Sequence, residues 1–174
     1  MGDNQIIAAW RAAGENGDPA AAGRCLAPEV ELISPLTAAF RFRGPARVTE
    51  VLTAAFEVIH DIRFHTELGA GDTWSLFYHG RAGRDQLEEA QLLRLNADGL
   101  IRELTFFGRP LPALTQVMAG IGPRLLRRQG RPGLARAVTL ATGPLNAMTH
   151  TGERRIMPMA DPSKEPAKKP DIRR

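Results

Sequence analysis

The sequence predicts an α+β fold in which helices lie against one face of an antiparallel sheet. Three observations lead there. Apolar residues fall at helical spacing early in the chain, as in Ile6, Ile7 and Trp10 and again in Val48, Val51, Leu52, Ala55 and Phe56. From Asp61 onward they alternate with polar residues, the period of strands whose side chains point to opposite faces in turn. The stretch Glu89–Phe107 sets two such runs on either side of Asn96-Ala97-Asp98-Gly99, whose Asp-Gly closes a β-hairpin.

Each element follows from local signals. Asp3 to Ala13 reads as a first helix, capped by Asp3 or Asn4 and ended by Gly14 to Gly17. Asp18-Pro19 restarts a short helix, with Asp18 as cap and Pro19 in the first helical position. It runs to about Leu26, where Ala27-Pro28 stops it. Val30 to Ser34 is a strand ended by Pro35, and Phe40 to Arg43 is a short second strand. Gly44-Pro45 opens a helix through about Ile59. Asp61 to Leu68 and Thr73 to Arg81 are strands joined by a turn at Gly69 to Asp72, and Gly80 to Asp85 turns into the hairpin. On the hairpin Glu89, Gln91, Leu93 and Leu95 share a face, and Leu100, Arg102, Leu104 and Phe106 share one on the partner strand. A mainly apolar face carrying a few polar groups suits a small-molecule pocket.

After Gly108 the character changes. Leu111, Leu114, Val117, Met118 and Ile121 keep helical spacing until Gly122-Pro123 interrupts it. Leu134 to Leu140 reads as another helix, ended by Gly143-Pro144. From Gly152 onward Pro, Lys, Asp and Arg without apolar periodicity predict a disordered tail. The expected organisation is a domain over 1–110, a basic helical extension over 111–151 and a tail over 152–174. Charge follows that division: residues 1–108 carry ten arginines against fifteen acids, whereas residues 109–152 carry six arginines and no acid. Three roles stay open for the extension: a cover over the pocket, a surface for a partner, or contact with a membrane. The basic residues lack interleaved aromatics, so nucleic acid is not expected as a partner. The single cysteine, Cys25, precludes an internal disulfide. With no signal-peptide pattern and no apolar run of membrane-spanning length, a cytoplasmic protein is expected.

The order of these motifs resembles the nuclear transport factor 2-like superfamily. A first helix, Gly17-Asp18, a short helix and Val30-Glu31-Leu32-Ile33-Ser34-Pro35 look like its opening, and Arg43-Gly44-Pro45 looks like the start of its third helix. Leu92-Leu93-Arg94-Leu95-Asn96 through Gly99 to Phe107-Gly108 is similar to the closing hairpin of bacterial ketosteroid isomerases and SnoaL-like polyketide cyclases. The resemblance covers about residues 4–110. It implies a curved sheet with helices on its concave face around a conical apolar pocket, a cystatin-like α+β roll, and a homodimer paired through the sheet. Members include isomerases, cyclases, epoxide hydrolases and binding proteins, so fold alone leaves function open. Carried over residue by residue, the isomerase pattern departs from its usual chemistry. Its oxyanion-donor tyrosine falls on Trp10, its basic aspartate on Ser34 and its second oxyanion donor on Gln91; the acid of a limonene epoxide hydrolase falls on Phe106. None of these carboxylates is present.

Glu89 is then the candidate acid or base, because it shares a face with Gln91 and an acid in an apolar cavity has its pKa raised. Trp10, Ser34, Tyr78 and Gln91 offer hydrogen-bonding groups, and Trp74, Leu93, Arg102, Leu104 and Phe106 complete the expected substrate-binding set. His65 and His79 fall on the opposite strand face without metal-site spacing, and neither metal nor cofactor is expected. The reading is a domain binding a small, mostly apolar molecule, with isomerase, cyclase or epoxide-opening chemistry if it is an enzyme. The alternative is an interaction protein using its sheet face and basic helices.

Overall fold

Six strands form one curved, unclosed sheet, and helices cover its concave face. The computed structural model describes residues 3–164. The elements are α1 (Asp3–Asn16), α2 (Pro19–Gly23), β1 (Leu26–Ile33), β2 (Phe42–Arg43), α3 (Pro45–Phe56), β3 (Ile59–Ala70), β4 (Thr73–Ala82), β5 (Asp85–Leu95), β6 (Ile101–Arg109), α4 (Leu111–Arg128) and α5 (Pro132–Thr151). The strand order is β2-β1-β6-β5-β4-β3. All neighbours are antiparallel except β1 and β6, which run parallel.

Local chemistry accounts for the boundaries. Asp18 Oδ1 accepts hydrogen bonds from the backbone N–H groups of Ala20 and Ala21, both at 2.9 Å, and so starts α2. The β5–β6 turn is closed by Gly99 at φ 73°, a conformation that glycine adopts without a Cβ clash. Asn96 Oδ1 reinforces that turn by accepting from the N–H groups of Asp98 and Leu100, each at 3.0 Å. The first strand starts at Leu26, earlier than Val30, because Leu26 pairs with Ile101 across the sheet.

Two apolar clusters fill the space between layers. One joins α1 and α3 to β1, β5 and β6 through fully buried Ile7, Val30, Leu32, Val48, Leu93 and Leu104. The other joins α4 to the β3–β5 end of the sheet through Ile59, Ile62, Tyr78, Leu87, Ala113 and Val117. Helix α4 therefore shares the packing of the domain that precedes it.

Both prolines expected to end helices lie inside them: Pro123 in α4 and Pro144 in α5. A proline inside a helix removes one backbone donor and costs about 3 kcal/mol. Pro123 is buried, and so is Leu125 two residues on, which joins the first cluster, so packing on the domain offsets that cost. Residues 152–164, expected as part of a disordered tail, form short helical turns. The rest of that stretch, 165–174, lies outside the described residues. Among the described residues no helix is long and apolar enough to cross a membrane.

Candidate active site

A cavity of about 310 Å³ opens between the concave sheet face, α1, α3 and α4. It falls at the small end of the roughly 300–1,000 Å³ typical of small-molecule pockets. Its polar side chains come from Trp10, Ser34, Thr37, Tyr78, Glu89 and Gln91; the remaining lining is apolar or glycine. Glu89 is the sole ionisable carboxyl group among the lining residues.

The sheet register builds the polar cluster. Tyr78 on β4 stands directly opposite Glu89 on β5, and Leu76 opposite Gln91. On the other side Gln91 pairs with Phe106 of β6, and Glu89 with Gly108. Alternation turns Tyr78, Glu89, Gln91 and Phe106 to the same concave face. The Tyr78 hydroxyl and the Gln91 amide both donate to the Glu89 carboxyl group. Trp10 reaches down from α1, and its indole Nε1–H donates to Gln91 Oε1 at 2.8 Å. That bond fixes the amide orientation and leaves the NH₂ end for Glu89. The four residues are 2–7 % exposed and form one connected chain.

Burial governs the electrostatics. Loss of water pushes the Glu89 pKa from 4.5 up to about 7, and the hydrogen bonds from Tyr78 and Gln91 pull partly against that rise. Burial beside the same carboxylate pushes the Tyr78 phenol well above its ordinary value, so it stays protonated and remains a donor. Near neutral pH the cavity therefore holds a carboxyl group able to take or give a proton, with its donors already in place.

The expected site residues divide into two sets. Trp10, Ser34, Tyr78, Glu89, Gln91 and Phe106 line the cavity. Trp74, Leu93, Arg102 and Leu104 do not, and each has a physical reason. Leu93 and Leu104 are cross-strand partners at 0 % exposure, packed into the core away from the cavity. Trp74 lies toward the far end of β4, where its Nε1–H donates to the Gly71 carbonyl at 2.9 Å. Arg102 occupies a β-bulge: Glu103 pairs with Arg94 and Ile101 with Leu95, so the residue between them is left over. Its Nε donates to the Leu95 carbonyl at 3.0 Å. Trp10 is also not the ligand donor expected of it, because its N–H is engaged by Gln91. Ser34 Oγ accepts from the Leu36 N–H at 3.1 Å and shapes the loop that follows β1.

The expected set left out the lining residues of α3 and β3, and two further parts of the wall. One is the loop with Pro35, Leu36 and Phe40, which has no periodicity to flag it. The other is α4, which supplies Val117, Met118, Ile121 and Leu125. Its helical apolar stripe was legible, and a cover over the pocket is one of the three roles left open for it.

On the opposite sheet face His65 and His79 stack with ring centroids 4.3 Å apart, and Glu88 stands beside them. Glu88 is held by the Arg109 guanidinium. This row therefore reads as an ionic surface, and no metal is assigned to it.

Comparison with known proteins agrees with this fold. The family model of the SnoaL-like domain matches residues 7–104. No curated protein matches the sequence. Among solved structures, a steroid delta-isomerase from Pseudomonas aeruginosa superposes with a TM-score of 0.63 at 24% identity, covering 74% of this chain and 91% of that one. An uncharacterised protein with a cystatin-like fold from Silicibacter pomeroyi superposes with a TM-score of 0.68 at 22% identity, covering 76% and 93%. A protein with a ketosteroid isomerase-like fold from Catenulispora acidiphila, in complex with trimethylamine, gives 0.52 at 20% identity, covering 68% and 92%. At these identities the likeness is one of fold.

Proposed function

The chain belongs to the SnoaL-like domain family, and from that premise we propose that its cavity binds a small, mostly apolar molecule and that Glu89 shuttles a proton on it. The reaction is of isomerase type. The observation that carries the reading is the buried Glu89 carboxyl group, with a pKa of about 7 and donors from Tyr78 and Gln91. The positions that hold acids in ketosteroid isomerases are Ser34 and Gln91 here, so the carboxyl group enters from two residues earlier on the hairpin.

The steps follow from these groups. Ionised Glu89 accepts a proton from a carbon next to a carbonyl. The electron pair left on that carbon delocalises onto the carbonyl oxygen. Once Glu89 is neutral, the Tyr78 hydroxyl is no longer required by a carboxylate and turns toward the oxygen that has gained charge. Glu89 then returns the proton to another carbon of the same conjugated system. Nothing is gained or lost, and the enzyme ends in its starting state.

The test uses small β,γ-unsaturated ketones, whose conversion to the conjugated isomer is read by ultraviolet absorbance. An environment-sensitive hydrophobic dye reports cavity occupancy separately. Turnover by the wild type, lost in Glu89→Gln while dye binding persists, supports the reading. Equal turnover in both removes Glu89 from the chemistry.

A further inference from the structure

The C-terminal half of helix α5 is built inside out. Nearer its start buried Ala135 and half-buried Val138 face inward, but from Thr142 the inward side is mainly polar: buried Thr142, then Asn146, Thr149 and His150, with half-buried Leu145 among them. Thr115 Oγ1 of α4 lies 3.0 Å from Asn146 Oδ1 and 2.8 Å from Thr149 Oγ1. Asn146 Nδ2 donates to Gln116 Oε1 at 2.7 Å, and His150 Nε2 lies 2.8 Å from Asp85 Oδ2. These bonds fix the helix to α4 and β5. Its outward side is apolar: Ala137, Leu140, Ala141, Pro144, Ala147 and Met148 are all exposed. Leu140 is 77% and Met148 65% exposed, and just beyond the helix Ile156 is 64%, Met157 59% and Met159 83% exposed. A helix of a water-soluble domain ordinarily shows the reverse arrangement, apolar in and polar out. An apolar surface of this kind, held rigidly and left facing outward, marks a contact site.

Charge decides what covers it. Exposed Arg127, Arg131 and Arg136 flank the near end of the helix, and Arg154 and Arg155 flank the far end. Residues 109–152 contain no acid, and the segment on to Met159 adds a single one, exposed Glu153, against Arg154 and Arg155. A second copy placed on this face would bring arginines against arginines. An anionic lipid surface satisfies both features, taking the apolar side chains at the acyl boundary and the guanidinium groups among the headgroups.

We propose that the outward face of α5 and the segment through Met159 dock this protein peripherally on an anionic membrane. The helix lies in the plane of the interface and does not span it. The inference is independent of the proton-transfer reading, since neither Glu89 nor the cavity enters it.

The experiment is co-sedimentation of the full chain with vesicles of phosphatidylcholine alone and of phosphatidylcholine mixed with phosphatidylglycerol. The expected result is partition onto the mixed vesicles only, weakened by salt. Leu140→Glu with Met148→Glu should abolish it, and because both side chains are exposed the variant should keep the wild-type thermal midpoint. Arg154→Glu with Arg155→Glu should weaken partition by at least roughly 30-fold, from the usual contribution per basic residue at an anionic surface. No partition of the wild type onto the mixed vesicles, or equal partition of the Leu140/Met148 variant, overturns the proposal. So does a wild-type dimer in solution that the same variant converts to monomer, because the face would then be covered by a second copy.

Discussion

Tyr78 and Glu89 are direct cross-strand partners, one on β4 and one on β5, and both side chains turn into the same cavity. The phenol donates to the carboxylate, so the pKa of each depends on the other. The candidate chemistry is thereby carried by a single rung of the sheet, held in register by the strands on either side.

A stability measurement follows from Glu89 alone. Its pKa rises from 4.5 to about 7 on folding, so the folded protein binds the proton more tightly than the unfolded chain does. The protonated group's contribution is complete below pH 4.5 and is lost as pH rises through about 7. A shift of this size corresponds to about 3 kcal/mol. Glu89→Gln should therefore be more stable than the wild type at pH 8 and close to it at pH 4, by urea unfolding. A difference that does not change with pH would show that Glu89 is not buried as described.

Tyr78→Phe removes a bond that lowers the Glu89 pKa. The carboxyl pKa should then climb further above 7. In a proton-transfer assay the acidic limb of the pH profile should shift to higher pH, with a modest effect on dye binding. Loss of binding without a shift in the limb would make Tyr78 part of the wall only.

Trp10→Phe keeps most of the ring but removes the donor to Gln91. It leaves Gln91 Oε1 buried without its partner, which costs about 1–3 kcal/mol. Chemical denaturation should show that loss, and Trp10→Phe with Gln91→Leu should recover part of it. An additive double variant would show that the two side chains do not act as a pair.

Much of this site was legible in the sequence because strands have a period of two. Once the Asp98-Gly99 turn fixed the hairpin, Glu89, Gln91 and Phe106 had to share a face, and Tyr78 joined them through β4. The same rule misplaced Arg102, because a bulge breaks the alternation and no residue between Leu95 and Glu103 announces it. Leu93 and Leu104 obey the alternation yet lie in solid core: periodicity gives the face of a strand, not the depth at which a cavity begins. The prolines misled for a different reason. Pro123 carries a real local cost, but α4 packs on residues far along the chain, Leu125 in the main core cluster among them, whereas exposed Pro144 lies in a helix held mainly by α4.

Gly120 shows how closely α4 sits on the rest. A Cβ at that position would come within 2.8 Å of both methyl groups of Val58, and a β-branched side chain has little room to turn away. Helix propensity favours alanine over glycine by about 1 kcal/mol. Overpacking costs typically 1–3 kcal/mol. Gly120→Ala should therefore lower the thermal midpoint, and pairing it with Val58→Ala should restore it. A stabilised single variant would mean that α4 has freedom to lift from Val58.

The anchor of α5 should depend on pH in the direction set by His150. Its imidazole Nδ1 donates to the Asn146 carbonyl, and Nε2 faces Asp85. These partners raise its pKa above 6.5, against the lowering effects of burial and, less strongly, of nearby Arg154. The raised value belongs to the folded state, so the link contributes fully below 6.5 and fades as pH rises through the folded pKa. Amide exchange along the last turns of α5 should accordingly be slowest in mildly acidic buffer and faster in alkaline buffer, after correction for intrinsic exchange rates. His150→Gln should flatten that dependence while leaving α1 unaffected. An α5 whose protection has the same pH dependence in both proteins would place its anchor in the Thr115–Asn146–Thr149 cluster instead of the Asp85 link.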